Sequence, residues 1–192
     1  MKGMLVRMAV AAFAVLAGGC ATAPQWERYQ ATAGIESPEK GFTLQVPAGW
    51  RRSPVETGDR IVLTMDGLGI QQLVLSRFDV DKAIPLTKAK PAKDVSPREF
   101  GELLLAELRA GEKDSRIELK SSGETRIDGR PAFRLHLTER TARGAQYERI
   151  VAAVRGETKI FWTSCTALAR YYFERARPVC EQTIATVRLA PL

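Results

Sequence analysis

The chain predicts an α+β domain built on an antiparallel sheet, and three observations carry that expectation. Four strand-like segments follow one another from Arg116 to Cys165 with turn residues between them. An earlier pair, Arg60 to Met65 and Ile70 to Phe78, is joined by Asp66-Gly67-Leu68-Gly69. Apolar residues at helical spacing occur in two separate stretches, after Ser96 and after Cys165. Strands spaced this closely pair as antiparallel meanders, whereas a parallel pair needs a crossover of a dozen residues or more.

Taken in order, residues 21–40 show no sustained period and contain Pro24, Gly34 and Pro38, so they read as a tether, with folding expected from Gly41. Trp26 and Tyr29 in that stretch would rest on lipid or on the domain. Phe42-Thr43-Leu44-Gln45-Val46 alternates apolar and polar residues, the mark of a half-buried strand, and Pro47-Ala48-Gly49-Trp50 breaks it. The Asp-Gly of the next turn is a hairpin signal. Asp81 to Val95 has neither period and carries Lys82, Lys88, Lys90 and Lys93 with Pro85 and Pro91. It is expected to be a mobile basic loop, either spacer or contact surface for an anionic partner.

Ser96-Pro97-Arg98-Glu99 has the pattern of a capping box, with proline suited to the first helical position. Phe100, Leu103, Leu104 and Leu108 then share one face at 3.6-residue spacing, and Gly111 supplies the stop. The meander follows as Arg116 to Thr125, Pro131 to Arg140, Tyr147 to Val154 and Thr158 to Cys165, with turns at Asp128-Gly129, Arg143-Gly144 and Gly156-Glu157. Its third strand has Ile150 and Val154 on one side and Tyr147, Val151 and Ala153 on the other, so it should be central. At the end, Ala169, Tyr172, Phe173 and Ala176 form one helical stripe. Cys180, Ile184 and Val187 form another, after a restart at Pro178 that turns Cys180 inward.

Gly41-Phe42 with Val46-Pro47-Ala48-Gly49-Trp50, a hairpin, one helix, Asp128-Gly129-Arg130-Pro131-Ala132 leading into a long meander, and a terminal helix together resemble the PsbP-like superfamily over residues 40–190. That group includes photosystem extrinsic proteins, a Ran-binding nuclear factor and bacterial DcrB-like and other lipoproteins. The resemblance implies an α/β/α sandwich with a central antiparallel sheet, used as a binding or assembly scaffold. It brings no catalytic residue, and fold alone does not choose among the functions of its members.

The N-terminus gives an address. Lys2 and Arg7 precede an apolar run from Met8 to Leu16, and Ala17-Gly18-Gly19 lead to Cys20, the layout of a secretory signal over residues 1–19. A permanent span would need roughly 20 apolar residues, about twice what is present. Leu16-Ala17-Gly18-Gly19-Cys20 resembles the bacterial lipobox, with the departure that Ala17 holds the third position before the cysteine and Leu16 lies one further out. The resemblance implies diacylglyceryl transfer to Cys20, membrane attachment through that lipid and, with Ala21 rather than aspartate following, the periplasmic face of the outer membrane. Plain secretion with cleavage near Ala23 and an uncleaved anchor are the alternatives.

Loss of the signal removes Lys2 and Arg7, leaving 27 basic residues against 22 acidic ones, a net charge of +5. Those residues are interleaved, as on a solvated surface, rather than clustered as a nucleic-acid footprint. About 170 remaining residues make one domain, expected over residues 41–192. Cys20 accounts for the odd one of three cysteines, so Cys165 and Cys180 form an even pair in an oxidising compartment. Closing a loop of about 15 residues would stabilise by about 3 kcal/mol; two buried free thiols are the alternative.

His136 is the one histidine. It falls on the polar side of Phe133-Arg134-Leu135-His136-Leu137-Thr138, with no Gly-x-Ser-x-Gly elbow in the chain and no second histidine to share a metal. Glu139 and Glu148 sit on neighbouring strands and could approach as a carboxylate pair, though Arg140 and Arg149 beside them favour ion-paired surface. No phosphate or dinucleotide glycine loop occurs, and no cofactor is expected. Arg170-Tyr171-Tyr172-Phe173-Glu174-Arg175 interleaves bases with aromatics, but those aromatics match the core stripe, and no nucleic-acid partner is expected. The reading is a non-enzymatic envelope scaffold for a protein or small ligand, with His136, Lys88, Lys90 and Lys93 as candidate contacts. A hydrolase acting on lipid or cell wall, using His136 and a carboxylate, is the alternative from another class; a structural or stress-related surface protein is the third.

Overall fold

The computed structural model describes residues 26–37, 40–54, 60–80, 86–89, 91–111 and 114–191. Cys20 and Lys90 therefore lie outside the described residues.

The meander forms as expected. β7 (Ser115–Ile127), β8 (Arg130–Thr141), β9 (Gln146–Arg155) and β10 (Lys159–Leu168) pair antiparallel in sequence order. Asp128 and Gly129 alone connect β7 to β8, both at positive φ (51° and 71°). That is the geometry a two-residue hairpin needs to follow the strand twist, and it is why Asp-Gly stands there. On the far side of β10 come β6 (Gln71–Asp79) and β5 (Arg60–Thr64), the predicted hairpin. The short β4 (Arg51–Arg52) and β1 (Glu27–Arg28) complete an eight-stranded sheet in the order β1-β4-β5-β6-β10-β9-β8-β7.

β9 is the strand with two apolar faces, and every residue from Ile150 to Val154 is buried. Its odd-numbered side, Val151 and Ala153, meets α1 (Pro97–Gly111) through Phe100, Leu104, Leu108, Phe133, Leu135 and Leu137. Its even-numbered side, Ile150, Ala152 and Val154, joins a larger core with Leu73, Leu75, Phe161 and α2 (Tyr172–Ala185). Helix α1 begins as the capping box predicts: Ser96 Oγ accepts the Glu99 N–H (3.2 Å), and the Ser96 N–H donates to the Glu99 carboxylate (3.0 Å). These bonds from the Ser96 backbone and hydroxyl hold the Glu99 carboxyl below its ordinary value.

The architecture is the α/β/α sandwich that the resemblance implied, with one addition. β3 (Phe42–Val46) does not enter the large sheet. It sits between β2 (Ala33–Ser37) and β11 (Arg188–Leu189) in a three-stranded sheet sharing the α2 layer. Its inward residues Phe42, Leu44 and Val46 are buried, and the Phe42 ring meets Phe161 edge-on at 5.3 Å.

Three expectations are corrected. The tether assigned to residues 20–40 is part of the fold where it is described. Ile35 is buried opposite Leu44, Tyr29 is buried, and its backbone exchanges hydrogen bonds with Gly49 and Trp50. Two short strands with a single large core residue between them carry no period to detect. The basic loop is held rather than loose where it is described: Glu107, buried in α1, accepts the backbone N–H groups of Leu86 and Thr87 (both 2.8 Å) and the Thr87 hydroxyl (2.9 Å). Pro178 does not restart a helix, because α2 runs through it from Tyr172 to Ala185. The proline's missing N–H removes one helical hydrogen bond, a loss offset by the core contacts of Phe173, Ala176 and Cys180 on both sides of it.

Candidate functional site

The disulfide ties the helical layer to the sheet. Cys165, pointing to the α2 side of β10, is bonded to Cys180 at a Cα separation of 6.1 Å, and both residues are buried. The pair that cysteine counting put forward is therefore a bridge, on the strand and helix expected.

Beside it lies the polar cluster containing His136. The β8–β9 register sets Thr138 opposite Glu148 and His136 opposite Ile150, so His136 and Glu148 share the face that carries α2. His136 Nε2 stands 2.6 Å from Glu148 Oε2, with the two side chains only 17% and 16% exposed. Leu119 lies opposite Leu137 on the α1 side, so Lys120, the next residue of β7, falls on the same side as His136, and its Nζ reaches Glu148 Oε2 at 3.0 Å. Phe173 of α2 lies nearly parallel to the imidazole, ring centroids 5.3 Å apart. Burial pushes the Glu148 carboxyl up, but the hydrogen bonds from Lys120 and His136, with their charges, outweigh it and hold it below the ordinary carboxylate value. The sequence placed His136 on a polar strand face. It did not show that an aromatic ring covers that face.

Glu139 and Glu148 do not meet. Glu139 lies opposite Tyr147, one register step from the Thr138–Glu148 pair, and so projects to the α1 side, where it is buried against Arg149 at 2.6 Å. Each carboxylate is thus neutralised by its own cation, on opposite faces of the sheet. That ion pairing was the expected alternative to a carboxylate pair.

The lysines divide. Lys88 is exposed, at positive φ (55°), just after the residues clamped by Glu107. Lys93 lines a cavity of about 340 Å³ between the loop, the start of α1 and the facing ends of β8 and β9. A larger groove of about 480 Å³ runs between α1 and β7, past Leu105, Phe133 and the exposed Leu119. Among the described residues no group of three or more His, Cys, Asp or Glu side chains is placed to hold a metal, and no helix is long and apolar enough to cross a membrane.

Similarity to solved structures is extensive in shape and low in sequence. Cyanobacterial PsbP (CyanoP) from Synechocystis sp. PCC 6803 matches 83% of this chain and 93% of its own, with a TM-score of 0.61 at 12% identity. The chain has the PsbP-like fold. The Ran-binding protein Mog1p of Saccharomyces cerevisiae matches 84% of the chain and 97% of its own (TM-score 0.55, 12% identity). LpqN, involved in cell envelope biogenesis of Mycobacterium tuberculosis, matches 83% and 86% (TM-score 0.50, 17% identity). No family model and no curated protein matches the sequence. The PsbP-like fold therefore rests on backbone geometry, and the residues around His136 are described from this chain alone.

Proposed function

We propose that the chain is a lipoprotein of the bacterial envelope, anchored through Cys20, whose PsbP-like domain binds an envelope protein or a small ligand without catalysing a reaction on it. The observation that carries this reading is the apolar run Met8 to Leu16 ending in Ala17-Gly18-Gly19-Cys20. Two acyl chains on one cysteine suffice for stable attachment, since each buried CH2 contributes about 0.8 kcal/mol. The fold is consistent with a binding role: it serves a Ran-binding protein in one case and a protein of envelope biogenesis in another. A buried Cys165–Cys180 bridge suits an oxidising compartment.

Fractionation tests the anchoring half. The full chain should sediment with the outer membrane, and Cys20→Ser should move to the soluble fraction; equal distribution of the two would contradict the reading. For the binding half, crosslinking in intact cells should return a specific envelope partner, and a pull-down at background level would remove the protein-binding version.

The 2.6 Å contact between His136 and Glu148 favours one rival, a hydrolase using them as an acid–base pair. The two readings differ on His136→Gln in a protein that still folds. Loss of the cellular phenotype with normal thermal stability supports the hydrolase, and an unchanged phenotype removes it.

A further inference from the structure

We propose that the sheet edge formed by β1, β4 and β5 docks on an anionic phospholipid surface, with Trp26 at the headgroup level. The strand ladder gathers there three cations that lie far apart in sequence. Arg28 of β1 stands directly opposite Arg51 of β4, and Arg51 opposite Thr64 of β5. Opposite residues share a face, so Arg28 and Arg51 emerge side by side, and Arg60, four residues from Thr64 along β5, projects to the same side. The register runs on from Val62 through Val74 and Ser164 to Val151, which identifies this as the side that carries α1. Helix α1 packs on β7, β8 and β9, however, at the other end of the sheet. All three arginines are exposed, and none forms an ion pair among the described residues. Trp26, two residues before Arg28, is 43% exposed.

Like charges directly opposite across a ladder are destabilising. The neighbouring pair shows the usual remedy: Glu27 stands opposite Arg52, and both hydrogen-bond the Tyr29 hydroxyl. The Arg28–Arg51 pair has no such counter-charge among the described residues, and a layer of anionic headgroups supplies one. The length of chain to the anchor selects lipid as the occupant. Trp26 is six residues from Cys20, at most about 22 Å of extended chain. That is about half the length of β7, whose 13 residues extend about 43 Å. A lipidated Cys20 therefore holds this edge nearest the membrane, at the high local concentration of a short leash. Each arginine near anionic lipid favours the docked state on the order of fivefold. Tryptophan suits the interface because its ring is apolar with one polar N–H.

This rests on the anchor proposed above and adds an orientation to it. The test uses protein purified from membranes, its Cys20 lipid checked by mass, in nanodiscs of phosphatidylcholine alone or mixed with phosphatidylglycerol. The readout is quenching of tryptophan emission by lipids brominated near the headgroup. Trp50 is buried and Trp162 half-buried, so such quenching reports Trp26, and Trp26→Phe should abolish it. Quenching should be at least twofold stronger in the anionic discs, and salt should erode that difference. Arg28→Gln combined with Arg51→Gln should bring it down to the phosphatidylcholine level. Should that double variant fail to fold, Arg60→Gln provides a second test, with a partial loss expected. The proposal is overturned by unquenched emission, by equal quenching in both lipids, or by variants quenched like the wild type. Crosslinks from this edge to a second copy or another envelope protein, with Trp26 unquenched, would give the edge to that partner instead. Cys20 without lipid removes the anchor and this inference together, whereas a lipidated protein with unquenched Trp26 removes the inference alone.

Discussion

Gly101→Ala sets two known effects against each other inside α1. Helix propensity favours alanine over glycine by about 1 kcal/mol in a helix interior. Gly101 is buried against the sheet, however, and a Cβ built there would lie 1.8 Å from Phe133 Cδ1, 2.2 Å from Cε1 and 2.6 Å from Cγ. Non-bonded carbons rest at about 3.5–4.0 Å. The ring of Phe133, itself buried beneath the helix, must therefore retreat by well over an ångström or push α1 off β8. Overpacking of this kind costs about 1–3 kcal/mol, and the severity of the overlap puts the expected value at the upper end. Subtracting the propensity gain leaves Gly101→Ala destabilised by about 2 kcal/mol. Urea denaturation at constant m-value measures it. Adding Phe133→Leu should recover part of the loss, because the two changes share one contact. A Gly101→Ala protein as stable as the wild type, or more stable, would refute the claim that the glycine is there for close approach of helix to sheet.

Other consequences follow from the same contacts. Replacing Cys165 and Cys180 together by alanine should cost about 3 kcal/mol by loop-entropy arithmetic, a fall in melting temperature of roughly 6–12 °C for a domain of this size; an unchanged midpoint would mean the bridge does not constrain the chain. Glu148 has a depressed folded pKa, so its contribution to stability is complete above the unfolded value near 4.5 and is lost as pH falls through the lower folded value. Unfolding measured across pH should show the wild type's advantage over Glu148→Gln shrinking on acidification below that point, and an advantage that grew there would reverse the assignment. Ile35→Ala should destabilise by about 2–3 kcal/mol if residues 33–37 belong to the domain, whereas a neutral effect would return that segment to the tether.

Much of this fold was legible because local signals agreed with the tertiary result. The Asp128-Gly129 turn, the Ser96–Glu99 capping box and the two-sided apolar pattern of β9 each have a physical cause confined to a few neighbouring residues. What was missed depends on register or on partners distant in sequence. Whether Glu139 and Glu148 share a face is decided by a single-residue offset across the Thr141–Gln146 turn, and such a step moves a side chain to the other side of the sheet. Lys120 of β7 reaches Glu148 of β9 across the intervening β8, a pairing that only the register of three strands reveals. Strand β2 offers one large apolar residue, so its pairing with β3 is visible only once Leu44 is placed opposite Ile35. The clamp of Glu107 on Leu86 and Thr87 crosses about 20 residues and looks, in sequence, like any helical glutamate. The cavity at Lys93 draws on a loop, a helix start and two strand ends, and no linear motif records it.

The anchor is tested most directly by the mass of the N-terminal peptide of the protein recovered from membranes. The account predicts that the mature chain begins at Cys20 and carries a thioether-linked diacylglyceryl group, with label from fed palmitate. An unmodified N-terminus at or after Ala21, or an intact chain still beginning at Met1, would contradict it.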